Sequence, residues 1–132
     1  MLDRSVDRNG RNHDGILNMT TRTDGRLLRI YVGEASRYEG KPLYEWIVHQ
    51  AREHSTAGAT VLRGIEGYGA NSQIHTANIL RLSADLPIVV EIVDQEEKIE
   101  QLLDHIEPAI AEGLATLEKV EIRWYRSDAF TD

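Results

Sequence analysis

Between Thr60 and Asp94 the chain reads as two strands held far apart in sequence by a long polar segment. Thr60 to Ile65 is the first strand, and Gly64, Gly67 and Gly69 break its end into a corner. Ala70 to Asn78 is polar, and Ile79–Leu82 leads back into the dense apolar run Pro87 to Val93. Neighbouring strands are usually joined by about two to five residues, and a much longer link tends to be a binding loop or disordered. The segment therefore marks a place for function and leaves the chemistry open.

The flanking segments supply the rest of a core. Leu27 to Val32 alternates, with Leu28, Ile30 and Val32 on one face and Leu27, Arg29 and Tyr31 on the other, which predicts a strand. Gly33 to Lys41 reads as a loop, and Pro42 suits a first helical turn, where its missing N–H is not needed. Leu43, Tyr44, Ile47, Val48 and Ala51 share one face of a helix expected over about Pro42 to Thr56, with Gly58 as its C-terminal cap. Asp94 followed by Glu97 has the spacing of a capping box, and Ile99, Leu102, Leu103, Ile106 and Ile110 make a second apolar stripe. Pro108 predicts a kink, or a break followed by one more turn to Glu112, with Gly113 stopping the helix. Val120, Ile122 and Trp124 alternate with Glu121, Arg123 and Tyr125 in a last strand.

Residues 1–25 show neither period. They hold four Asp, four Arg and no Glu, so they are electrically neutral, and they are expected to form a mobile tail. Met19, just before the first periodic segment, is a candidate natural start. The formal net charge of −7 therefore falls on the rest of the chain, which argues against nucleic acid as a partner. No apolar run approaches the roughly 18 residues needed to cross a bilayer, and the chain has no cysteine. A cytoplasmic domain over 26–127, with 128–132 frayed, is the expectation.

The order strand, helix, strand, strand, helix, strand predicts an α+β fold, the ferredoxin-like βαββαβ antiparallel sheet with both helices on one face. Leu27, Tyr31, Val89, Val93 and Tyr125 are expected on the opposite face, and an uncovered apolar face predicts a homo-oligomer.

Several segments are also specific enough to carry a family resemblance. They are Arg29-Ile-Tyr-Val-Gly-Glu34, Gly40-Lys-Pro-Leu-Tyr-Glu45, Ala57-Gly-Ala-Thr-Val-Leu-Arg-Gly-Ile65, Gly67-Tyr-Gly69, Ile74-His-Thr76, Leu86-Pro-Ile-Val-Val-Glu-Ile-Val-Asp94 and Glu112-Gly-Leu114. Together they resemble the family of domain of unknown function 190 over about Leu27 to Arg126. More distantly the chain is similar to the nitrogen regulatory PII proteins. This resemblance implies a homotrimer that binds a small anionic effector in clefts between subunits, with an adenine nucleotide as the candidate ligand and no certain cofactor. It implies regulation rather than catalysis, with signalling through residues 70–78 to a transporter or enzyme partner. Two departures stand out. PII proteins place a basic residue after the Gly-aromatic-Gly corner, where this chain has Ala70. Their Gly- and Lys-rich turn is replaced by Gly113-Leu-Ala-Thr-Leu-Glu-Lys119.

The candidate ligand-binding residues fall in three groups. Gly64, Gly67, Tyr68 and Gly69 form the corner, where the glycines either make a bend or also let a ligand approach the backbone. Asn71, His75 and Thr76 lie on the polar segment, where His75 either fixes the loop or contacts the effector. Arg63, Lys119 and Arg123 supply positive charge suited to a phosphate or carboxylate, or are strand charges paired with neighbouring Glu. The five histidines show no zinc-ligand spacing, so no metal site is expected. The competing classes are a small hydrolase using His75 and Glu66, and a CutA-like metal-tolerance protein.

Overall fold

The computed structural model describes residues 18–68, 74–76 and 85–127. They fall in two compact units, one spanning Gly25–Val120 and a smaller one whose described residues are 18–24 and 121–127.

The elements run in the order β1 (Asn18–Gly33), β2 (Arg37–Tyr38), β3 (Lys41–Pro42), α1 (Leu43–Glu53), β4 (Ala59–Arg63) and β5 (Glu66–Tyr68). They continue with β6 (Ile74–Thr76), β7 (Pro87–Asp94), α2 (Glu96–Ile106), a 3-10 turn at Glu107–Ala109, and β8 (Leu114–Ser127). Four strands form one sheet in the order β4-β7-β1-β8. The pairing of β7 with both β1 and β4 is antiparallel, with Ile30 opposite Val90 and Val61 opposite Val90. This is the ferredoxin-like α+β arrangement expected from the element order. Leu28, Ile30 and Val32 of β1 and Ile88, Val90 and Ile92 of β7 point to one face. They pack there against Leu43, Ile47 and Ala51 of α1 and Ile99, Leu102, Leu103 and Ile106 of α2. Burying an aliphatic side chain of this kind contributes about 1.5–3 kcal/mol, so this layer is the main source of stability.

Several boundaries differ from those expected. β1 begins at Asn18, so residues 18–25 belong to a strand where a mobile tail was predicted, and Met19 lies within it. The predicted loop after Gly33 contains the β2–β3 hairpin, turned by Glu39 and Gly40 with φ of 50° and 78°. Positive φ at both central residues makes the turn twist with the strands it joins. Pro42 stands just before α1 as its N-cap, and α1 ends at Glu53.

The cap of α1 is not Gly58. Ser55 adopts φ 57°, its N–H donates to the Arg52 carbonyl, and the Thr56 N–H donates to the Ala51 carbonyl. These two bonds make a Schellman cap with serine in the position that normally favours glycine. At α2 the expected capping box gives way to a different use of Asp94. Its buried carboxylate accepts the Ala57 N–H at 2.8 Å and the Gln95 N–H at 2.6 Å, while Gln95 is the N-cap. Asp94 thus ties the α1–β4 connection to the start of α2. At Pro108 the helix breaks rather than kinks: α2 ends at Ile106, and the turn that follows closes at Ala109, short of the expected Glu112. Gly113 does not stop a helix; it sits at φ 143° with its hydrogen 'side chain' against the Tyr31 carbonyl.

Candidate functional site at the root of the 64–86 connection

Three chain ends meet at one corner of the sheet: the end of β1 at Gly33 and Glu34, the end of β4 at Arg63 and Gly64, and the start of β7 at Pro87. The pairing Gly33 to Pro87 and Arg63 to Ile88 sets them level. Backbone bonds fasten the corner, from the Glu34 N–H to the Leu86 carbonyl at 2.8 Å and from the Gly64 N–H to the Pro87 carbonyl at 2.7 Å. The Asp85 carboxylate accepts the Ala35 N–H at 3.0 Å.

The glycines here answer a need for space. A Cβ on Gly64 would lie 2.7 Å from the Pro87 ring, and one on Gly67 would lie 2.9 Å from it. Neither has the positive φ found at Gly40 and Gly113. Glycine lets the backbone close on the proline, and the bend that results turns the chain out of the sheet at Ile65. Beyond the bend, Tyr68 is 72% exposed.

The polar segment is partly paired, where an unstructured link was expected. β5 and β6 form a short antiparallel ribbon in which Glu66 is opposite Thr76 and Gly67 is opposite His75. His75 and Glu66, the pair weighed for a hydrolase, are therefore not cross-strand partners. Gly69 and Asn71 lie outside the described residues.

The basic residues are dispersed. Arg63 is at the corner and forms an ion pair with Glu34, Nη2 to Oε1 at 2.5 Å, with the arginine side chain 57% exposed and the glutamate 23% exposed. Lys119 is an exposed residue of β8, on the opposite edge of the sheet from β4. Three strand spacings of about 4.8 Å separate those edges. Arg123 belongs to the smaller unit and pairs there with Glu121 at 3.4 Å. Within one chain, then, Arg63, Gly64, Gly67 and Tyr68 come together, the ribbon pairing sets His75 and Thr76 opposite Gly67 and Glu66, and Lys119 does not join them.

Glu34, Asp85 and Pro87 were not among the predicted site residues. Glu34 and Arg63 are 29 residues apart, and only the strand order makes them neighbours. The usable signal was the glycine-proline pattern itself, since glycines at one strand end and a proline at the next strand's start can nest together. A second long-range group was also hidden in the sequence. His54 of the α1 cap and His105 of α2 have ring centroids 4.8 Å apart, and both hydrogen-bond to Gln50. Among the described residues no three His, Cys, Asp or Glu form a group able to hold a metal ion.

The strand order and the two helices on one face define a ferredoxin-like α+β domain. Two solved structures of CPII, a nitrogen regulatory PII-like protein from Thiomonas intermedia K12, share this fold. Each has a TM-score of 0.58 at 16% identity, covering 77% of this chain and 91% of CPII. One was bound to ADP, AMP and bicarbonate, the other to ADP and bicarbonate. The chain itself belongs to the DUF190 family, described as uncharacterized ACR, whose family model matches residues 25–122. A UPF0166 protein of Aquifex aeolicus (strain VF5) is 44% identical over 97 residues, which is 74% of this chain and 91% of that relative. A UPF0166 protein of Methanocaldococcus jannaschii is 38% identical over 78 residues, covering 59% and 71% of the two chains. No helix among the described residues is long and apolar enough to cross a membrane.

Proposed function

We propose that this chain is a PII-like regulatory protein that binds a small oxyanion-bearing effector at the Arg63 corner and performs no chemistry on it. The observation that carries the reading is the placement of Arg63. It stands at the root of the connection between β4 and β7, where Gly64 and Gly67 let the backbone close on Pro87. Arginine is suited to phosphate or carboxylate because its planar fork offers several donors at fixed geometry. The ligands of CPII, ADP with bicarbonate, have both kinds of oxyanion. An adenine nucleotide is the first candidate and bicarbonate the second.

The active form in this reading is a homotrimer. Arg63 near one sheet edge and Lys119 on the other are too far apart to grip one small ligand within a chain. Two copies set edge to edge would bring a β4 corner beside a β8 strand, making a cleft that one subunit lacks. The segment 70–78 is then the surface presented to a partner protein, a transporter or an enzyme, with the effector shifting which arrangement is populated.

Thermal denaturation with ADP, AMP and bicarbonate, each added singly, tests the reading. A ligand at about a hundred times its dissociation constant should stabilise by about 2.7 kcal/mol and raise the midpoint by several degrees. Arg63→Gln should abolish that shift while leaving the unliganded midpoint nearly unchanged. No shift with any of the three at millimolar concentration would overturn the proposal.

A further inference from the structure

The Glu34–Arg63 pair joins strands that are not neighbours. In the order β4-β7-β1, β7 lies between them, so the pair spans the start of β7 at Leu86 and Pro87. One partner is held more firmly than the other. Glu34 is anchored through its own N–H to the Leu86 carbonyl and is mostly covered, whereas the Arg63 side chain is mostly in solvent. The arginine is therefore the member free to turn away.

What it would turn toward resembles what it leaves. The Glu34 carboxylate is an oxyanion, and to a guanidinium it is the same kind of acceptor as bicarbonate or a terminal phosphate. Asp85, whose carboxylate accepts the Ala35 N–H at 3.0 Å, places a second carboxylate at the same corner. A ligand arriving there meets an arginine already paired with Glu34.

Resting on the reading of Arg63 as the anion contact, we propose that Glu34 is a built-in counter-ion that competes with the oxyanion ligand for Arg63 and so sets how tightly that ligand binds. Capture of Arg63 by a ligand then exchanges one carboxylate-type partner for another, and releases a tie across the start of β7. The cost of that exchange is modest because an ion pair this exposed is weak.

Titration calorimetry of ADP, and separately of bicarbonate, into wild type, Glu34→Gln, Arg63→Gln and the double variant tests the proposal. Glu34→Gln keeps the shape of the side chain and removes its charge. It should tighten binding by about threefold to tenfold, the scale set by a solvent-exposed pair. That gain should vanish in the Arg63→Gln background, because without the arginine there is nothing to compete for. A gain with ADP only would identify phosphate as the competing group, and a gain with bicarbonate only would identify the carboxylate-type anion. Unchanged or weaker binding by Glu34→Gln would overturn the proposal, and so would a gain that persists without Arg63, which would mark a general field effect. If Arg63→Gln binds as tightly as wild type, or no protein binds either ligand, the underlying reading of the site fails as well.

Discussion

Ser55 carries a conformation that its side chain does not favour. At φ 57° it closes the Schellman cap of α1, a position where glycine avoids a steric cost of about 1–2 kcal/mol. Ser55→Gly should therefore raise stability by about 1 kcal/mol, seen as a rise of a few degrees in the thermal midpoint. An unchanged or lower midpoint would mean that the serine contributes something the cap geometry does not include. Two other glycines give opposite expectations. Gly58 has open space around it and an ordinary φ, so Gly58→Ala should be neutral or stabilising by up to about 1 kcal/mol through the unfolded chain. Gly113 combines φ 143° with a Cβ site 2.5 Å from the Tyr31 carbonyl oxygen, a backbone atom that cannot step aside. Gly113→Ala should cost more than about 2 kcal/mol. Denaturant titration of the two variants separates the roles, and equal midpoints would sink the argument.

At the scale of elements, what was legible in the sequence is what has a period. Leu28, Ile30 and Val32 alternate, Ile99, Leu102, Leu103 and Ile106 recur every three to four residues, and both patterns became the buried layer. The ends were not legible, because caps and strand extensions depend on partners distant in the chain. The start of β1 is polar, with Thr20, Thr21, Arg22 and Thr23. Nothing local reveals that Thr23 accepts a hydrogen bond from the Trp124 indole at 2.8 Å and that Arg22 lies 3.7 Å from Glu121. The corner was legible as a place, since Gly64 and Gly67 mark it. The counter-ion Glu34 was not, since only the crossing of β1 and β4 around β7 brings it to Arg63. Asp94 shows the same limit, for the spacing to Glu97 suggests a box, whereas the carboxylate is spent on the Ala57 and Gln95 amides. Removing one acceptor oxygen from a buried site costs about 1–3 kcal/mol. Asp94→Asn should therefore destabilise by that amount and Glu97→Ala by less than about 0.5 kcal/mol. Equal losses by equilibrium unfolding would restore the capping box.

For the molecule as a whole, the sheet face away from the helices poses the remaining question. Register places Leu27 opposite Val93, and Tyr31 and Leu62 opposite Val89, so an apolar row crosses each end of this face. Between the rows Arg29 lies 3.4 Å from Glu91 and 2.6 Å from Glu118, joining β7, β1 and β8. Tyr31 and Leu62 are exposed, and among the described residues no helix covers this surface of β4, β7 and β1. Apolar rows flanking a satisfied charge network suit burial against another copy better than contact with water, because the network can fix register while the rows supply the driving force. If the proposed homotrimer also turns this face inward against the other copies, it would cover it. Sedimentation should accordingly find three copies associated at micromolar concentration. Val89→Glu should dissociate them, since it places an unpaired carboxylate among Tyr31 and Leu62 at a cost of several kcal/mol once the face is covered. On an uncovered face the same substitution would meet solvent and change stability by only about 0.5 kcal/mol. A wild-type monomer at tens of micromolar, or a Val89→Glu variant that sediments and melts as wild type does, would leave the face open and remove the cleft in which Arg63 and Lys119 could meet.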